Sequence, residues 1–500
     1  MDLNRVLRRA ATRRPAVFLV TLSGATEERL ATERELRLRG WSSADSPAAA
    51  TLLVVAGKPD AESPEWLGRV WQAVPEPRAY VTVDTADEAE AALDRARREL
   101  AMGEEPVGPA PGGPGGVTRH GRAGGEGDAH PTDGQRHHPG PHDEHAGHGE
   151  HDDAHDHDDA HDHDDAHDHD DAHDRHDAHD RHDAHDRHGT HDHHAAHDPD
   201  GDHGDQEDGD HQGHGDEGGH HGHDAHAGHH TGHHGGVVAG RPMAERDDDR
   251  DGLRLDRLHL RLGPALPDWP TGLVLDVAVQ GDVIQRAETL VVAAPARTGA
   301  ARLPFWSAPW LFVGDGSTVP TGVVERRRCA AHLDSLGRLL SIAGWAHQAG
   351  RARALRDAVL VGAMVTDVDD DVRRFARRVR SSRLLRGLLT GLGHLSAARA
   401  GELGVTGPAL IADGDVWDRL LVWLDETQRS LKAAHDGRPW PSHDLNGPRG
   451  RLAAEHPPSQ RLLRALPELV TGAEFACARL IVASLDPDLD ELAPTAVAHG

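Results

Sequence analysis

The chain has two cysteines, Cys329 and Cys477, in 500 residues. Each stands alone in an apolar helical pattern, so this chain by itself supports no disulfide framework, CxxC zinc site or cysteine-ligated iron–sulfur cluster. Tyrosine is scarcer still, with Tyr80 its one example. No stretch approaches the roughly 20 apolar residues of a membrane span. Gly24 and Gly57 stand at strand ends, yet no GxGxxG or P-loop accompanies them, and they read as ordinary strand-end glycines. The opening MDLNRVLRRAATRRPAVFLVTLSG sets basic residues before an apolar run, as a signal peptide does. That run is short and no small-residue cleavage pattern follows it, so it reads as a buried first strand. The expected location is the cytoplasm.

Histidine and aspartate are plentiful in one place. Residues 104–251 hold 40 Asp and Glu against 9 Arg and no Lys, a balance of −31, whereas the whole chain carries −30. The rest is therefore nearly neutral. The same window contains 35 of the 43 histidines and hardly any large aliphatic residue. Such a segment buries too little apolar surface to offset the entropy of ordering, so it reads as a disordered linker. The expected organisation is a small α/β domain over 1–103, the linker over 104–251, a mainly helical domain opening with a short β-meander over 252–492, and a disordered tail over 493–500.

Within the linker, His-x-His pairs recur every six residues: His155/His157, His161/His163 and His167/His169. They give way to His-x-x-His pairs, His173/His176, His179/His182 and His185/His188. Residues two apart in an extended chain point to one side, so both imidazoles of a pair can reach one ion. Imidazole suits Zn²⁺, Ni²⁺, Cu²⁺ and Co²⁺, with Zn or Ni the expected cargo. Many similar, flexible sites imply modest affinity. A soluble spacer generated by repeat expansion fits the same pattern.

In the N-terminal unit, Ala16 to Leu22, Ala50 to Ala56 and Ala79 to Val83 read as strands. Thr26 to Arg39 reads as a helix with its charges outward, a helix starts at Ser63-Pro64, and Asp84 to Leu100 reads as a charged amphipathic helix. Leu53 to Gly57, Val74 to Pro77 and Ser46-Pro47, in SPAAATLLVVAGKPDAESPEWLGRVWQAVPEPRAYVTV, carry a resemblance. This stretch resembles the B-type subunit of respiratory complex I and the small subunit of related membrane-bound hydrogenases. The resemblance implies cluster-binding cysteines in the loops after the first and third strands. Those places read Leu22-Ser23-Gly24-Ala25 and Val83-Asp84-Thr85, so it also implies that no iron–sulfur cluster is held.

In the C-terminal unit, Leu253 to Leu262, Leu273 to Val279 and Val283 to Glu288 alternate as half-buried strands. After Glu325 the period becomes helical, with Leu333, Leu336, Leu339, Leu340 and Ala343 as one stripe. Further helices are expected over Val372 to Leu389, Val416 to Lys432 and Leu466 to Leu485. Gly263-Pro264, ERRRCAAHLDSLGRLLSIAGW, SSRLLRGLLTGLGHLSAARAGELGVTGPAL, DVWDRLLVWLDETQRSLK and a terminal Ser-Leu-Asp-Pro follow in order. Together they resemble the D-type subunit of complex I, itself related to the large subunit of nickel–iron hydrogenases.

The departures from that family matter most for chemistry. The resemblance implies quinone-site histidines in the loop that here reads Leu266-Pro267-Asp268-Trp269-Pro270-Thr271-Gly272, a quinone-binding tyrosine that Tyr80 cannot supply, and nickel-ligating cysteines where Asp488 stands. The chain is accordingly not expected to be an enzyme by itself. His332, Asp334 and His394 read as structural residues, Cys329 and Cys477 as small hydrophobes. Arg383, Arg386, Arg419 and Arg429 read as partners of carboxylates or of another subunit, and the tryptophans 306, 310, 417 and 423 as core or interface. The expected role is an accessory or assembly subunit of a complex I-like or hydrogenase-like membrane oxidoreductase, peripheral at the inner face of the membrane through its partners. Nickel or zinc storage or delivery is the alternative, and nucleic acid is not an expected partner.

Overall fold

A computed structural model describes residues 14–59, 65–102, 254–292 and 303–492, with short strands at 237–238, 241–242 and 245–248. Contacts divide the chain into residues 1–119 with 230–500, and residues 120–229; every described residue belongs to the first unit. The repeat histidines, His155 through His188, lie outside the described residues.

Four parallel strands open the fold: β1 (Ala16–Thr21), β2 (Ser42–Ser43), β3 (Leu52–Ala56) and β4 (Ala79–Val83), in the order β2-β1-β3-β4. LLVVA of β3 is buried at every position, as a central strand covered on both faces requires. Helices α1 (Thr26–Arg39), α2 (Glu65–Gln72) and α3 (Ala89–Met102) supply that cover. Leu36 of α1 and Leu93 and Ala96 of α3 pack with Val17, Leu52 and Val81 on one face, whereas Leu67 and Trp71 of α2 pack with Phe18, Leu53 and Val55 on the other. Helix α1 ends where Gly40 turns left-handed (φ 62°), Trp41 N–H donating back to Leu36 O at 2.9 Å. The expected helix from Asp84 begins instead with a 3₁₀ turn, Ala86–Glu88, before α3.

In the C-terminal part, β5 (Val237–Val238) and β6 (Arg241–Pro242) pair with each other. Strands β7 (Glu245–Asp248), β8 (Arg254–Leu262), β9 (Leu273–Gln280) and β10 (Val283–Val291) form an antiparallel sheet ordered β10-β9-β8-β7. The expected meander is present, and β7 extends it into the acidic window. Beyond it come α4 (Ala308–Gly314), α5 (Thr321–Ile342), α6 (Ala346–Leu360), α7 (Val365–Arg380), α8 (Arg383–Leu389), α9 (Ala397–Glu402), α10 (Pro408–Ala412) and α11 (Val416–Ala433), then a hairpin of β11 (Asn446–Gly447) and β12 (Gly450–Arg451), and finally α12 (Pro458–Val470) and α13 (Phe475–Leu485). Helix α5 is central, with Leu333, Leu336, Leu339 and Leu340 fully buried among residues of α6, α7, α11, α12 and α13. Among the described residues no helix is long and apolar enough to cross a membrane.

Two expected helices are broken. The run from Val372 to Leu389 divides at Ser381-Ser382, where Ser382 Oγ accepts from Leu385 N–H at 3.2 Å and starts α8 afresh. The run from Leu466 to Leu485 divides at Thr471–Glu474: Gly472 N–H donates to Ile284 O at 2.7 Å and Ile284 N–H to Ala473 O at 3.0 Å, so a pairing with β10 interrupts the helical ladder. In both cases the apolar period runs on across the break. Periodicity therefore could not reveal it.

Candidate functional site

The charges of α1 do not all face solvent as their pattern suggests. Arg29, Glu33 and Arg37 recur at four-residue spacing, hence on one helix face, and that face meets the C-terminal helices. Arg29 grips the Asp334 carboxylate of α5 with both guanidinium arms, at 3.1 and 2.8 Å. Arg356 of α6 bridges Asp334 (2.6 Å) and Glu33 (2.7 Å), and Arg37 pairs with Asp357. On the far side of Asp334, Arg338 reaches both Asp334 at 3.2 Å and Asp486 at 2.6 Å. Asp486 also accepts from Ser335 (2.5 Å) and Arg449 (2.8 Å). One continuous ionic network thus joins the N-terminal helix to the residue that caps α13.

Burial sets the electrostatics. Desolvation alone would push the Asp334 carboxyl up, but Arg29, Arg338 and Arg356 outweigh it and hold the group well below the usual carboxylate range. Glu33 is likewise opposed by burial, and Arg29, Arg356 and Arg353 hold it down to about 2. Asp488 and Glu491 go the other way. Burial raises Asp488 against the pull of Arg449, with Asp486 adding to the rise. Burial and then Asp488 raise Glu491, which accepts from Ser307 Oγ and Ser459 Oγ at 2.6 Å each.

Of the four places where the resemblance expects cofactor or substrate ligands, three come together. The loop after β1, the loop before β9 and the segment after α13 converge. Gly24 N–H and Thr26 Oγ1 donate to the carboxylate of Asp490, at 2.6 and 3.2 Å. A methyl group on Gly272 (φ 80°) would lie 2.9 Å from Ser23 Oγ, so the close approach of these two loops needs glycine there. Thr26, Arg29, Thr271, Arg338, Arg449 and Asp488 help line the small space left between them, about 20 Å³. That is room for about one water. Val83–Thr85, the other expected cluster loop, does not line it. Asp488 Oδ2 and Arg449 Nη1, 4.0 Å apart, are buried there without hydrogen-bond partners.

The remaining expected residues are scattered. His332 is buried on α5; burial, then Arg328, Arg449 and Arg429, push its pKa well below the ordinary histidine value, so it is neutral. Its Nε2 has no hydrogen-bond partner and lines a second cavity of about 10 Å³ with Ser335 and Arg449. His394 is exposed. Burial, then Glu325, push the Cys329 thiol up to about 12, which makes it inert as a nucleophile. Cys477 is only partly covered, and desolvation, Glu474 and Asp282 raise it.

Arg429 pairs with Glu325 at 3.0 Å and Glu426 at 2.7 Å, as expected of it. Arg419 differs. It is fully buried, donating to Ser484 Oγ and to the carbonyls of Gly414 and Gly393 rather than to a carboxylate, and burial lowers it to about 10 against Asp415 and Asp418. Trp306, Trp310, Trp417 and Trp423 are all buried, as expected. Among the described residues no group of three or more His, Cys, Asp or Glu is placed to hold a metal ion.

No protein-family model and no curated protein matches the chain. Among solved structures it is similar to one chain of the membrane-bound sulfane sulfur reductase, an archaeal respiratory membrane complex, at 18% identity and a TM-score of 0.37. That likeness covers 47% of this chain and 98% of the other.

Proposed function

We propose that the chain is a non-catalytic accessory or assembly subunit of a complex I-like or hydrogenase-like membrane oxidoreductase, in which B-type-like and D-type-like modules are fused and docked. One observation carries the reading. The loop after β1, the loop before β9 and the segment after α13, where the ordered motifs lead one to expect cluster, quinone and nickel ligands, meet around a space of about 20 Å³ walled by guanidinium and carboxylate groups. Thiolate or imidazole ligands are not among those walls. Arg29 and Arg338 of those walls bind Asp334, and Arg338 and Arg449 bind Asp486, which gives rigidity to the docked pair and leaves Asp488 Oδ2 and Arg449 Nη1 as unpartnered atoms facing the space.

The modules need a partner assembly to act on. Capture of the chain at native expression should co-purify subunits of a proton-pumping or hydrogen-metabolising oxidoreductase. Recovery of the chain alone, under mild extraction that keeps such complexes whole, would remove the reading.

A second reading rests on the repeat of His155, His157, His161, His163, His167, His169, His173, His176, His179, His182, His185 and His188, which supplies imidazole pairs suited to nickel or zinc. In it the chain stores or delivers metal. Deleting residues 130–235 separates the two. Loss of metal loading with oxidoreductase assembly intact favours the metal role; defective assembly with unchanged metal content favours the subunit role.

A further inference from the structure

The end of α7 and the whole of α8 present a face that nothing in the ionic network uses. Arg377, Arg378, Arg383 and Arg386 are exposed. Arg373 and Arg374 on the same helix pair with Asp369 and Asp371, and Arg380 with Asp425, but these four have no carboxylate partner among the described residues. No acidic residue occurs in the sequence between Val372 and Gly401. The nearby carboxylates on α11 are committed, Asp425 to Arg380 and Glu426 to Arg429. Amid this positive charge stand two large apolar side chains. Leu384 is 87% exposed and Leu388 is 43% exposed, one helical turn apart on α8 and so on one side of it.

We propose that this face docks directly on an anionic lipid surface, with Leu384 and Leu388 entering the headgroup boundary and Arg377, Arg378, Arg383 and Arg386 binding lipid phosphates. Two exposed leucines on one side of a short helix, flanked by arginines without carboxylate partners, match the make-up of an interfacial anchor. Guanidinium groups hold phosphate in two-pronged contacts, which selects anionic headgroups over zwitterionic ones. The anchor is short, so attachment is reversible and adds to whatever protein partner is present.

The test is flotation of the full chain with vesicles of pure phosphatidylcholine and of phosphatidylcholine with one-third phosphatidylglycerol, at 0.15 M salt. Binding is expected only to the second. Each surface arginine contributes about five-fold in partition, so the Arg377→Gln/Arg378→Gln/Arg383→Gln/Arg386→Gln variant should bind roughly 600-fold more weakly. Leu384→Ser/Leu388→Ser should weaken binding while leaving its salt dependence in place. All these positions are exposed, and an unchanged unfolding midpoint is the check that the fold survives. Inorganic phosphate at matched ionic strength should not release the chain from vesicles. Equal binding to both vesicle types, release by free phosphate, or vesicle binding indifferent to the substitutions would overturn the proposal. So would variants that still float but lose a co-purifying protein, since the face would then be a protein interface.

Discussion

Asp334 shows how one carboxylate can hold two parts of a chain together. It is buried, and Arg29, Arg338 and Arg356 all contact it. Asp334→Asn removes the negative charge and leaves three guanidinium groups short of a counter-ion, so destabilisation of about 3–5 kcal/mol is expected in denaturant unfolding. A loss below about 1 kcal/mol would show that water, not Asp334, solvates those arginines. The acid response follows from the same residues. Asp334 and Glu33 are depressed, so their contribution is complete above the ordinary carboxylate range and disappears as pH falls through their folded values, for Glu33 about 2. Asp488 is raised, so its sign is opposite: its contribution is complete below the ordinary range and is lost as pH rises through the folded value. Asp488→Asn should therefore gain thermal midpoint over the parent at pH 7 relative to pH 4. A gain that shrinks with pH would contradict the upward shift of that carboxyl.

At the scale of elements, what could be read in advance depended on how local the cause was. Thr26–Arg39 and Ala79–Val83 were legible to the residue, because helical spacing with a glycine stop and a short apolar run between turns are set by neighbours in sequence. The breaks at Ser381-Ser382 and at Gly472 were not, since one depends on a serine cap and the other on pairing with β10. The inward face of α1 was the largest miss. Arg29 and Asp334 are 305 residues apart, and a four-residue charge spacing looks the same whether water or another helix faces it. The convergence of Gly24, Thr271 and Asp488 was hidden for the same reason, although each position was marked by the absence of an expected ligand.

Two substitutions test the elements directly. Ser382→Ala should cost about 1 kcal/mol by uncapping α8. Gly263→Ala should cost about 2 kcal/mol or more in denaturant unfolding: its φ is 97°, and the new methyl would lie 2.2 Å from Leu273 O and 2.6 Å from Trp269 Nε1. A stable Gly263→Ala protein would mean that this loop re-forms around the methyl group.

For the whole molecule, the described core and ionic network join the N-terminal part to the C-terminal part. Leu30 of the N-terminal part packs within the same buried cluster as Leu273, Leu333 and Leu489. Removing 120–229 should therefore leave a single cooperative unfolding transition, with its midpoint shifted by no more than a few degrees. Two separate transitions after removal would show that the tract carries folding information.

The positive–negative–positive order of Arg29, Glu33 and Arg37 has a consequence for kinship among proteins. A helix of the same shape without that charge order would leave Asp334 without Arg29 and Arg356 without Glu33, two buried ion pairs lost at once. Helix α1 is in this way matched to its own chain and not to a neutral copy of its shape. Its charge order works as a mark of self, written on one face of one helix.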